Sequence, residues 1–250
     1  MDGAHIISIT AFEFQTTAED QAKYIKWRDG AYAPMMVSTN LFLAIEHYQI
    51  VQENPDYPLT FTLLCCRNLE DHLAAGHSPE SAAYYKDIET TFGGKFERRW
   101  STLYQLVKRL KNEALTYDKN KDYTPENAPV ILLYGASLSP DEWDKYHVWF
   151  NEWGYPVYLP VLLKVPGVIE YSRWWLSNIR SRMPPKPNIS EDPKYPQDLS
   201  IIYFENLKAY QNFEKSREFA AFNKNLAAEF PNGLNLKWNV VYRLTGRWTK

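Results

Sequence analysis

An internal repeat constrains the fold of this chain more than any other feature of its sequence. The pattern K-Y-x-x-W, with a proline seven positions after the tryptophan, occupies residues 23–34 and returns at residues 145–156. A second correspondence, offset by 138 residues, runs without a gap over residues 55–106 and contains 14 identities in 52 positions. Ordinary composition gives about one identity in sixteen positions by chance. We therefore interpret the chain as the duplication of one unit.

A polar segment separates the two copies. Residues 111–129 show no hydrophobic periodicity and are interpreted as a linker, so the predicted domains are a first unit at 1–110 and a second at 130–250. The second copy carries extra residues, most of which fall within 177–192. This stretch is rich in proline and serine, which predicts a long loop.

Each copy shows the same order of predicted elements, β-α-β-β-α-β. In the first copy these are a strand at residues 5–14, a helix with Thr16 or Thr17 as its N-cap, strands at 41–52 and 59–66, a helix at 79–91 and a strand at 96–107. In the second copy they are a strand at 130–135, a helix capped by Ser139 with Glu142 three residues on, strands at 168–176 and 199–204, a helix at 207–229 and a strand at 234–244. We predict an α+β fold of two tandem ferredoxin-like (βαββαβ) units, each an antiparallel sheet with two helices on one face.

The first helix of each copy ends in a shared motif, W-x-(D/N)-x-x-x-x-P, at residues 27–34 and 149–156. Duplicated around this motif, the β-α-β-β-α-β order resembles the dimeric α+β barrel superfamily, in particular its EthD-like branch. The resemblance implies that the two units pack sheet to sheet as a pseudo-dimeric α+β barrel within one chain. Members include small cofactor-free cyclases, decarboxylases and isomerases, as well as monooxygenases and haem enzymes. The family often carries a histidine two residues before the motif's proline, where this chain has Tyr32 and Gly154.

Composition and charge argue against several classes of function. The chain has 28 Lys and Arg against 30 Asp and Glu, a balance that argues against broad binding to nucleic acids or anionic membranes. It has no glycine-rich phosphate loop and no Cys/His spacing typical of a zinc site, so we expect no metal. Cys65 and Cys66 are adjacent and poorly placed to bond each other. With no signal peptide and no long apolar stretch, we expect a cytoplasmic protein.

Positions at which one copy keeps a titratable group and the other lacks it are candidates for chemistry. Three such positions lie in the first copy, with the second copy's residue in parentheses: His47 (Tyr171), Asp29 (Asn151) and Tyr32 (Gly154). A His–Asp pair can supply a base and the group that orients it, and a tyrosine hydroxyl can polarise a carbonyl. We predict that these three residues are catalytic. The alternative, that each serves only the core or a helix end, stays open.

Aromatic residues are the candidates for a substrate pocket. Tyr24 and Trp27 lie three positions apart and so share a helical face, and Trp100 and Tyr104 share one face of a strand. Because both pairs recur in the second copy, they are core residues in one interpretation and pocket walls in the other. Arg173, beside two tryptophans, is a candidate for binding an acidic or enolate oxygen. These five residues form the predicted substrate-binding set.

From these residues we expect a cofactor-independent enzyme that binds a hydrophobic, oxygen-bearing small molecule and moves protons, with the 177–192 loop as a lid. The resemblance implies cyclase, isomerase or lyase chemistry on a polyketide-like or aromatic intermediate of secondary metabolism. The expected partner is this small molecule, with no nucleic acid or membrane; a homodimer stays open. A non-catalytic ligand-binding or assembly protein is the first alternative, favoured by the missing motif histidine. A chlorite-dismutase-like haem enzyme is the second, and His147 is the histidine available to it in the second copy.

Overall fold

The computed structural model describes residues 3–14, 17–92, 96–115, 123–177, 195–231 and 234–250. Within them the chain divides into two compact units. The first unit contains the described residues up to Leu106 together with Ser177 and Leu244–Lys250, and the second contains the described residues of 107–176 and 195–243. Apart from Ser177, the predicted loop at 177–192 lies outside the described residues, as does the middle of the predicted linker.

The elements from β1 to β4 belong to the first copy. They are β1 (Ile6–Phe14), α1 (Ala18–Trp27), a π-helical segment (Arg28–Tyr32), α2 (Ala33–Ser38), β2 (Ala44–Ile50), β3 (Thr60–Cys66), α3 (Leu69–Gly76), α4 (Pro79–Phe92) and β4 (Phe96–Lys111). The second copy follows the same order. Its elements are β5 (Val130–Ser137), α5 (Pro140–Trp149), a π-helical segment (Phe150–Tyr158), α6 (Leu159–Leu162), β6 (Val168–Leu176), β7 (Asp198–Phe204), α7 (Leu207–Glu214), α8 (Arg217–Glu229) and β8 (Asn235–Thr249).

The strands of each unit form an antiparallel sheet with the same pairing. In the first unit β1 lies between β3 and β4, and β2 pairs with the other edge of β3. In the second unit β5 lies between β7 and β8, and β6 pairs with the other edge of β7. Beside β2 the hydrogen-bonded order of the strands continues to β8, and beside β6 it continues to β4. The architecture is therefore mixed α+β around antiparallel strands.

Side-chain caps explain where the helices begin. Thr17 caps α1 by accepting a hydrogen bond from the backbone N–H of Asp20. Ser139 caps α5 in a full capping box, in which the Glu142 carboxylate also accepts from the Ser139 backbone N–H. Asn68 and Asn206 cap α3 and α7 at corresponding places in the two copies. Each cap satisfies a backbone donor that has no partner within its helix.

Both W-x-(D/N) motifs coincide with a change of helix type, which periodicity does not predict. Immediately after Trp27 and Trp149 the α-helix widens into a π-helical segment before returning to an α-helix. A π-helix turns each residue by a smaller angle, so it changes which side chains point toward the sheet. In the first unit this segment carries Asp29 and Tyr32.

Several boundaries differ from the sequence prediction. The helix predicted at 207–229 is two helices, α7 and α8, because the Ser216 side chain starts a new helix by accepting a backbone hydrogen bond. Ser78 does the same ahead of α4, and the preceding helix α3 was not predicted. The strands β4 and β8 are longer than predicted and run to Lys111 and Thr249.

The extended strand ends carry arginines that contact buried glutamates. Arg247 in β8 lies 3.1 Å from Glu46 in the first unit, and Arg109 in β4 lies 3.2 Å from Glu170 in the second. The phenol of Tyr48 also donates to Glu46 at 2.7 Å. The two glutamates thus hold matching structural ion pairs in the two units. None of the helices in the described part of the chain is long and apolar enough to cross a membrane.

Candidate active site

The first unit joins two of the predicted catalytic residues through a short contact. Asp29 lies in the π-helical segment and His47 lies in β2, and Oδ1 of Asp29 is 2.7 Å from Nδ1 of His47. The same carboxylate oxygen accepts a hydrogen bond of 2.9 Å from Nε of Arg28, a side chain that is itself buried. Asp29 therefore lies between a guanidinium and an imidazole. His47 has no exposed surface, whereas the Asp29 side chain keeps 28% of its exposure.

The electrostatics of this pair make His47 neutral. Burial lowers the pKa of His47 to about 4, although the hydrogen bond with Asp29 opposes the shift. Partial burial acts to raise the pKa of Asp29, but the hydrogen bond with His47 and the charge of Arg28 outweigh it and lower that pKa. An ionised carboxylate only accepts hydrogen bonds, so the proton of neutral His47 resides on Nδ1 and the lone pair on Nε2.

Nε2 of His47 is a buried nitrogen with no hydrogen-bond partner among the described residues. The indole of Trp248, near the end of β8, packs against the imidazole with a centroid separation of 4.6 Å. The backbone carbonyl of His47 accepts from the Thr245 hydroxyl at 3.1 Å. The end of β8 thus covers His47. The lone pair on Nε2 of His47 makes no hydrogen bond to any described residue.

A row of polar side chains crosses the sheet from His47. His47 is opposite Thr62 in β3, Thr62 is opposite Thr10 in β1, and Thr10 is opposite Ser101 in β4. Directly opposed residues of antiparallel strands point to the same face and hold their Cβ atoms about 4.5–5.5 Å apart. All four residues are buried. His47 therefore shares a sheet face with Thr10, two strands away.

A cavity lies on that face of the sheet, between the strands and the helices of the first unit. The cavity and the open space at its mouth together contain about 540 Å³ that no atom fills. Strands β1 and β3 form its floor, and its walls come from residues 32–42 and from helices α3 and α4. The lining residues are Ser8, Thr10, Tyr32, Met36, Phe42, Leu64, His72, Leu73, Ala75, Gly76, Ser81 and Tyr85. We call this the first-unit cavity. None of its lining side chains is Asp, Glu, Lys or Arg, so it suits a molecule without a net charge.

Tyr32 is the predicted catalytic residue that lines the first-unit cavity. Its ring lies 4.0 Å from that of Tyr84 and 6.0 Å from that of Trp27, between centroids. Burial raises the pKa of its phenol, which therefore stays protonated and able to donate. Tyr24 and Trp27 pack in the same aromatic cluster but are not among the residues that line the cavity.

The structure does not bring Trp100 and Tyr104 to this cavity. Trp100 is opposite Ala11 and Tyr104 is opposite Ile7 in β1, so both point to the sheet face away from Ser8 and Thr10. Trp100 packs there with its centroid 6.0 Å from that of Phe61. These two residues contribute to the core on the far face of the sheet.

Arg173 lies in the second unit and is held in an ion pair. Its guanidinium contacts Asp198, with Nε to Oδ2 at 2.8 Å and Nη2 to Oδ2 at 2.6 Å, and donates to the Tyr155 hydroxyl at 2.9 Å. It also lies over the ring of Phe150, 3.9 Å from the centroid. Because Asp198 and Tyr155 already take these donors, Arg173 is built into the second unit rather than free to bind an oxygen anion.

Strand register also changes which residues correspond between the copies. His47 is opposite Thr62, and Arg173 is opposite Ser200, the residue that matches Thr62 at the offset of 138. The second unit therefore places Arg173, not Tyr171, where the first places His47. The register shift near the start of β6 inserts one extra residue and so accounts for one of the two positions between Tyr171 and Arg173.

Comparison with known proteins identifies the fold. No family model and no curated protein matches the chain. A putative monooxygenase of Fusobacterium nucleatum aligns over 100% of this chain and 96% of its own, with a TM-score of 0.60 and 8% identity. An anthrone oxidase-like protein aligns over 98% of this chain and 93% of its own, with a TM-score of 0.59 and 12% identity. The chain has the dimeric α+β barrel fold. A mutant chlorite dismutase of Candidatus Nitrospira defluvii shares it over 98% of this chain and 92% of its own, with a TM-score of 0.57 and 8% identity.

A chlorite-dismutase-like haem enzyme is one of the alternatives that the sequence resemblance leaves open, so the fit of a haem to the second unit is a direct question. A haem-binding histidine must present a ring nitrogen to open space beside the porphyrin. The indoles of Trp143 and Trp175 lie edge to face with the His147 ring, at centroid separations of 4.6 and 4.8 Å, and so fill space that a porphyrin beside this ring would need. The residues around His147 do not fit a haem. Among the described residues no group of three or more His, Cys, Asp or Glu side chains could hold a metal ion.

Thr10, Thr62 and His72 belong to the candidate site but are not predicted by the sequence. Thr10 and Thr62 carry no signal in a single sequence, because their importance comes from cross-strand register. His72 lines the first-unit cavity, and its counterpart at the offset of 138 is Tyr210. It meets the same test that singled out His47, namely a histidine in one copy that is absent from the other. Its place beside the predicted second helix gave no hint of a cavity.

Proposed function

We propose that the first unit is a small-molecule enzyme that binds an apolar, oxygen-bearing substrate in its cavity and transfers a proton by means of His47. The observation that carries this proposal is the buried Asp29–His47 contact of 2.7 Å, with the opposite imidazole nitrogen left without a partner among the described residues. This arrangement is a base together with the group that orients it.

The pair has the properties that a proton acceptor needs. Neutral His47 offers its Nε2 lone pair, and Asp29 fixes the tautomer by accepting from Nδ1. When Nε2 takes a proton, the imidazolium that forms lies beside an ionised carboxylate and is stabilised by it. Arg28 keeps that carboxylate ionised through its own hydrogen bond of 2.9 Å. The acceptor is thereby set up before the substrate arrives.

Hydroxyl groups lie between the pair and the first-unit cavity. Thr62 stands between His47 and the cavity-lining Thr10 in the polar row across the sheet. A hydroxyl can accept one proton while it donates another, so a Thr62 hydroxyl turned toward Nε2 would link that nitrogen to the cavity. Tyr32 lines the cavity with a protonated phenol and would donate to the substrate's oxygen as negative charge develops there.

The proposed reaction class is proton abstraction next to a carbonyl, leading to cyclisation, isomerisation or loss of a small group without a cofactor. The uncharged lining and the aromatic rings of the cavity support a hydrophobic, oxygen-bearing substrate such as an aromatic or polyketide-like intermediate of secondary metabolism. The anthrone oxidase-like neighbour supports a polycyclic ketone as the first compound to test. We further interpret the two copies as tandem ferredoxin-like units, of which the first carries the site.

Complete burial of His47 favours a second candidate, a non-catalytic binding protein of the same fold. In that case the Asp29–His47 contact only fastens the π-helical segment to the sheet. The two candidates differ in one measurable event, the breaking of a carbon–hydrogen bond of the bound ligand.

Hydrogen–deuterium exchange of anthrone in D₂O, followed by mass spectrometry without oxygen, tests this event. Loss of a proton from the methylene carbon leaves its electron pair in the enolate, and a deuteron from solvent then replaces the proton. We expect the protein to accelerate this exchange and His47→Gln to slow it by roughly 10²- to 10⁴-fold. His5→Gln, at an exposed histidine of the same unit, is the matched control and should exchange at the wild-type rate. Binding without accelerated exchange would favour the binding protein.

A further inference from the structure

His72 brings a second histidine to the first-unit cavity. It lies in α3 and lines the cavity with a half-buried ring. Its Nδ1 is buried and has no hydrogen-bond partner in the described part of the chain. Burial lowers the pKa of His72 to about 4, so the ring is neutral at pH 7. An unsatisfied buried nitrogen costs free energy unless another molecule supplies its hydrogen bond.

The rest of the lining restricts what that molecule can be. Its side chains carry no charge at neutral pH, because they are apolar, hydroxyl-bearing or, for His72, a neutral imidazole. Placing a carboxylate or an ammonium in such a cavity without an opposite charge is costly. The rings of Phe42, Tyr32 and Tyr85 and the side chains of Met36 and Leu64 provide the contacts that a flat apolar molecule needs.

We propose that the first-unit cavity selects neutral, hydroxyl-bearing aromatic molecules and that Nδ1 of His72 hydrogen-bonds to their hydroxyl group. A hydroxyl both donates and accepts, so it satisfies this nitrogen in either tautomer of the ring. A carboxylate only accepts and brings an unpaired charge, and a hydrocarbon leaves the nitrogen unsatisfied. This inference rests on the proposed function only in taking the cavity as the substrate site. It assigns His72 to substrate selection, apart from the proton transfer at His47.

The second copy shows that the fold does not need a histidine here. Tyr210 occupies the matching position at the offset of 138, and its hydroxyl donates to Glu214 at 3.0 Å on the protein surface. The equivalent helix α7 is therefore formed with a different residue that has a different partner. A role specific to the first unit accounts for His72 better than a requirement of the helix.

Calorimetric binding of three probes of similar shape tests the proposal: 1-naphthol, naphthalene and 1-naphthoate. The wild-type protein should bind 1-naphthol about tenfold more tightly than naphthalene, the ratio that one net hydrogen bond supplies. It should bind 1-naphthoate more weakly than either. His72→Phe should remove the preference for naphthol, whereas His72→Asn, which keeps a polar group near the place of Nδ1, should retain part of it. His5→Phe is the control and should leave all three affinities unchanged.

The proposal is wrong if His72→Phe keeps the full preference for naphthol, if the wild-type protein binds naphthoate as tightly as naphthol, or if it binds neither neutral probe. Because binding is measured without turnover, the outcome is separate from that of the exchange assay. Preference for naphthol without accelerated exchange of anthrone would sustain the role of His72 and contradict proton transfer at His47.

Discussion

Nδ1 of His47 and Oδ1 of Asp29 lie 2.7 Å apart although 18 positions separate them in the chain. The contact joins the π-helical segment that follows α1 to the second strand of the sheet. A regular α-helix would turn the residues after Trp27 by a larger angle, so the wider segment contributes to placing Asp29 at this position. The motif that marks the repeat is thus also the segment that completes the candidate site.

The tautomer of His47 can be observed directly. With Asp29 accepting from Nδ1 and the pKa lowered to about 4, His47 should remain in the Nδ1–H form from pH 8 down to about pH 5. Nitrogen-15 NMR of histidine-labelled protein measures this form, and Asp29→Asn should weaken the preference for it. A His47 that titrates near 6.5 would show that the imidazole is not buried as described.

Acidification should destabilise the protein through His47. Its pKa is about 4 in the folded state and about 6.5 when the chain is unfolded, so the unfolded state binds the extra proton first. The contribution of neutral His47 to the free energy of unfolding is fully present above pH 6.5. It falls as the pH drops toward 4, by about 1.4 kcal/mol per pH unit for this one proton. Urea denaturation at several pH values should show that the free energy of unfolding falls less steeply with decreasing pH for His47→Gln than for the wild-type protein. Equal slopes for the two proteins would contradict burial of a neutral His47.

Thr62→Val tests the polar row across the sheet. Valine has nearly the shape of threonine but no hydroxyl, so anthrone should still bind while its exchange slows by roughly 10²-fold. Thr102→Val is the matched control, because Thr102 is a buried threonine of β4 that points to the opposite sheet face. If both variants exchange at the wild-type rate, the proton reaches His47 by another route.

Arg247→Met tests the ion pair at the end of β8. It leaves the buried carboxylate of Glu46 without its arginine, which should lower the free energy of unfolding by about 3–5 kcal/mol. Arg67→Met removes the arginine of the more exposed pair with Asp71, which solvent screens, so the free energy of unfolding should change much less. Urea denaturation compares the two variants. Similar small losses for both would mean that the end of β8 does not pack against Glu46.

Much of the local structure follows from the sequence, because its signals are local. Ser139 and Glu142 predict the capping box that the structure contains, and the strand predicted at 168–176 has the observed bounds of β6. The break between α7 and α8 was missed because Ser216 lies in a continuous helical pattern, where a cap is indistinguishable from a surface serine. The ends of β4 and β8 were not predicted because most of their last residues are polar or charged.

The site was only partly accessible from the sequence. Comparing the copies drew attention to Asp29 and His47, since a difference between repeats needs no knowledge of the fold. The same comparison paired His47 with Tyr171, because strand register, including the shift in β6, leaves no mark in the sequence. Trp100 and Tyr104 could not be separated from the cavity walls without knowing which sheet face the helices cover. Membership in the row from His47 to Thr10 depends entirely on strand pairing.

The exchange of anthrone's methylene hydrogen at saturating ligand, measured beside the affinity for anthrone, tests the central claim most directly. We predict that wild-type protein, His47→Gln and Asp29→Asn bind anthrone with similar affinity, and that only the wild-type protein exchanges the hydrogen rapidly. Exchange at the wild-type rate in both variants, or no acceleration by the wild-type protein despite binding, would contradict proton transfer by the Asp29–His47 pair.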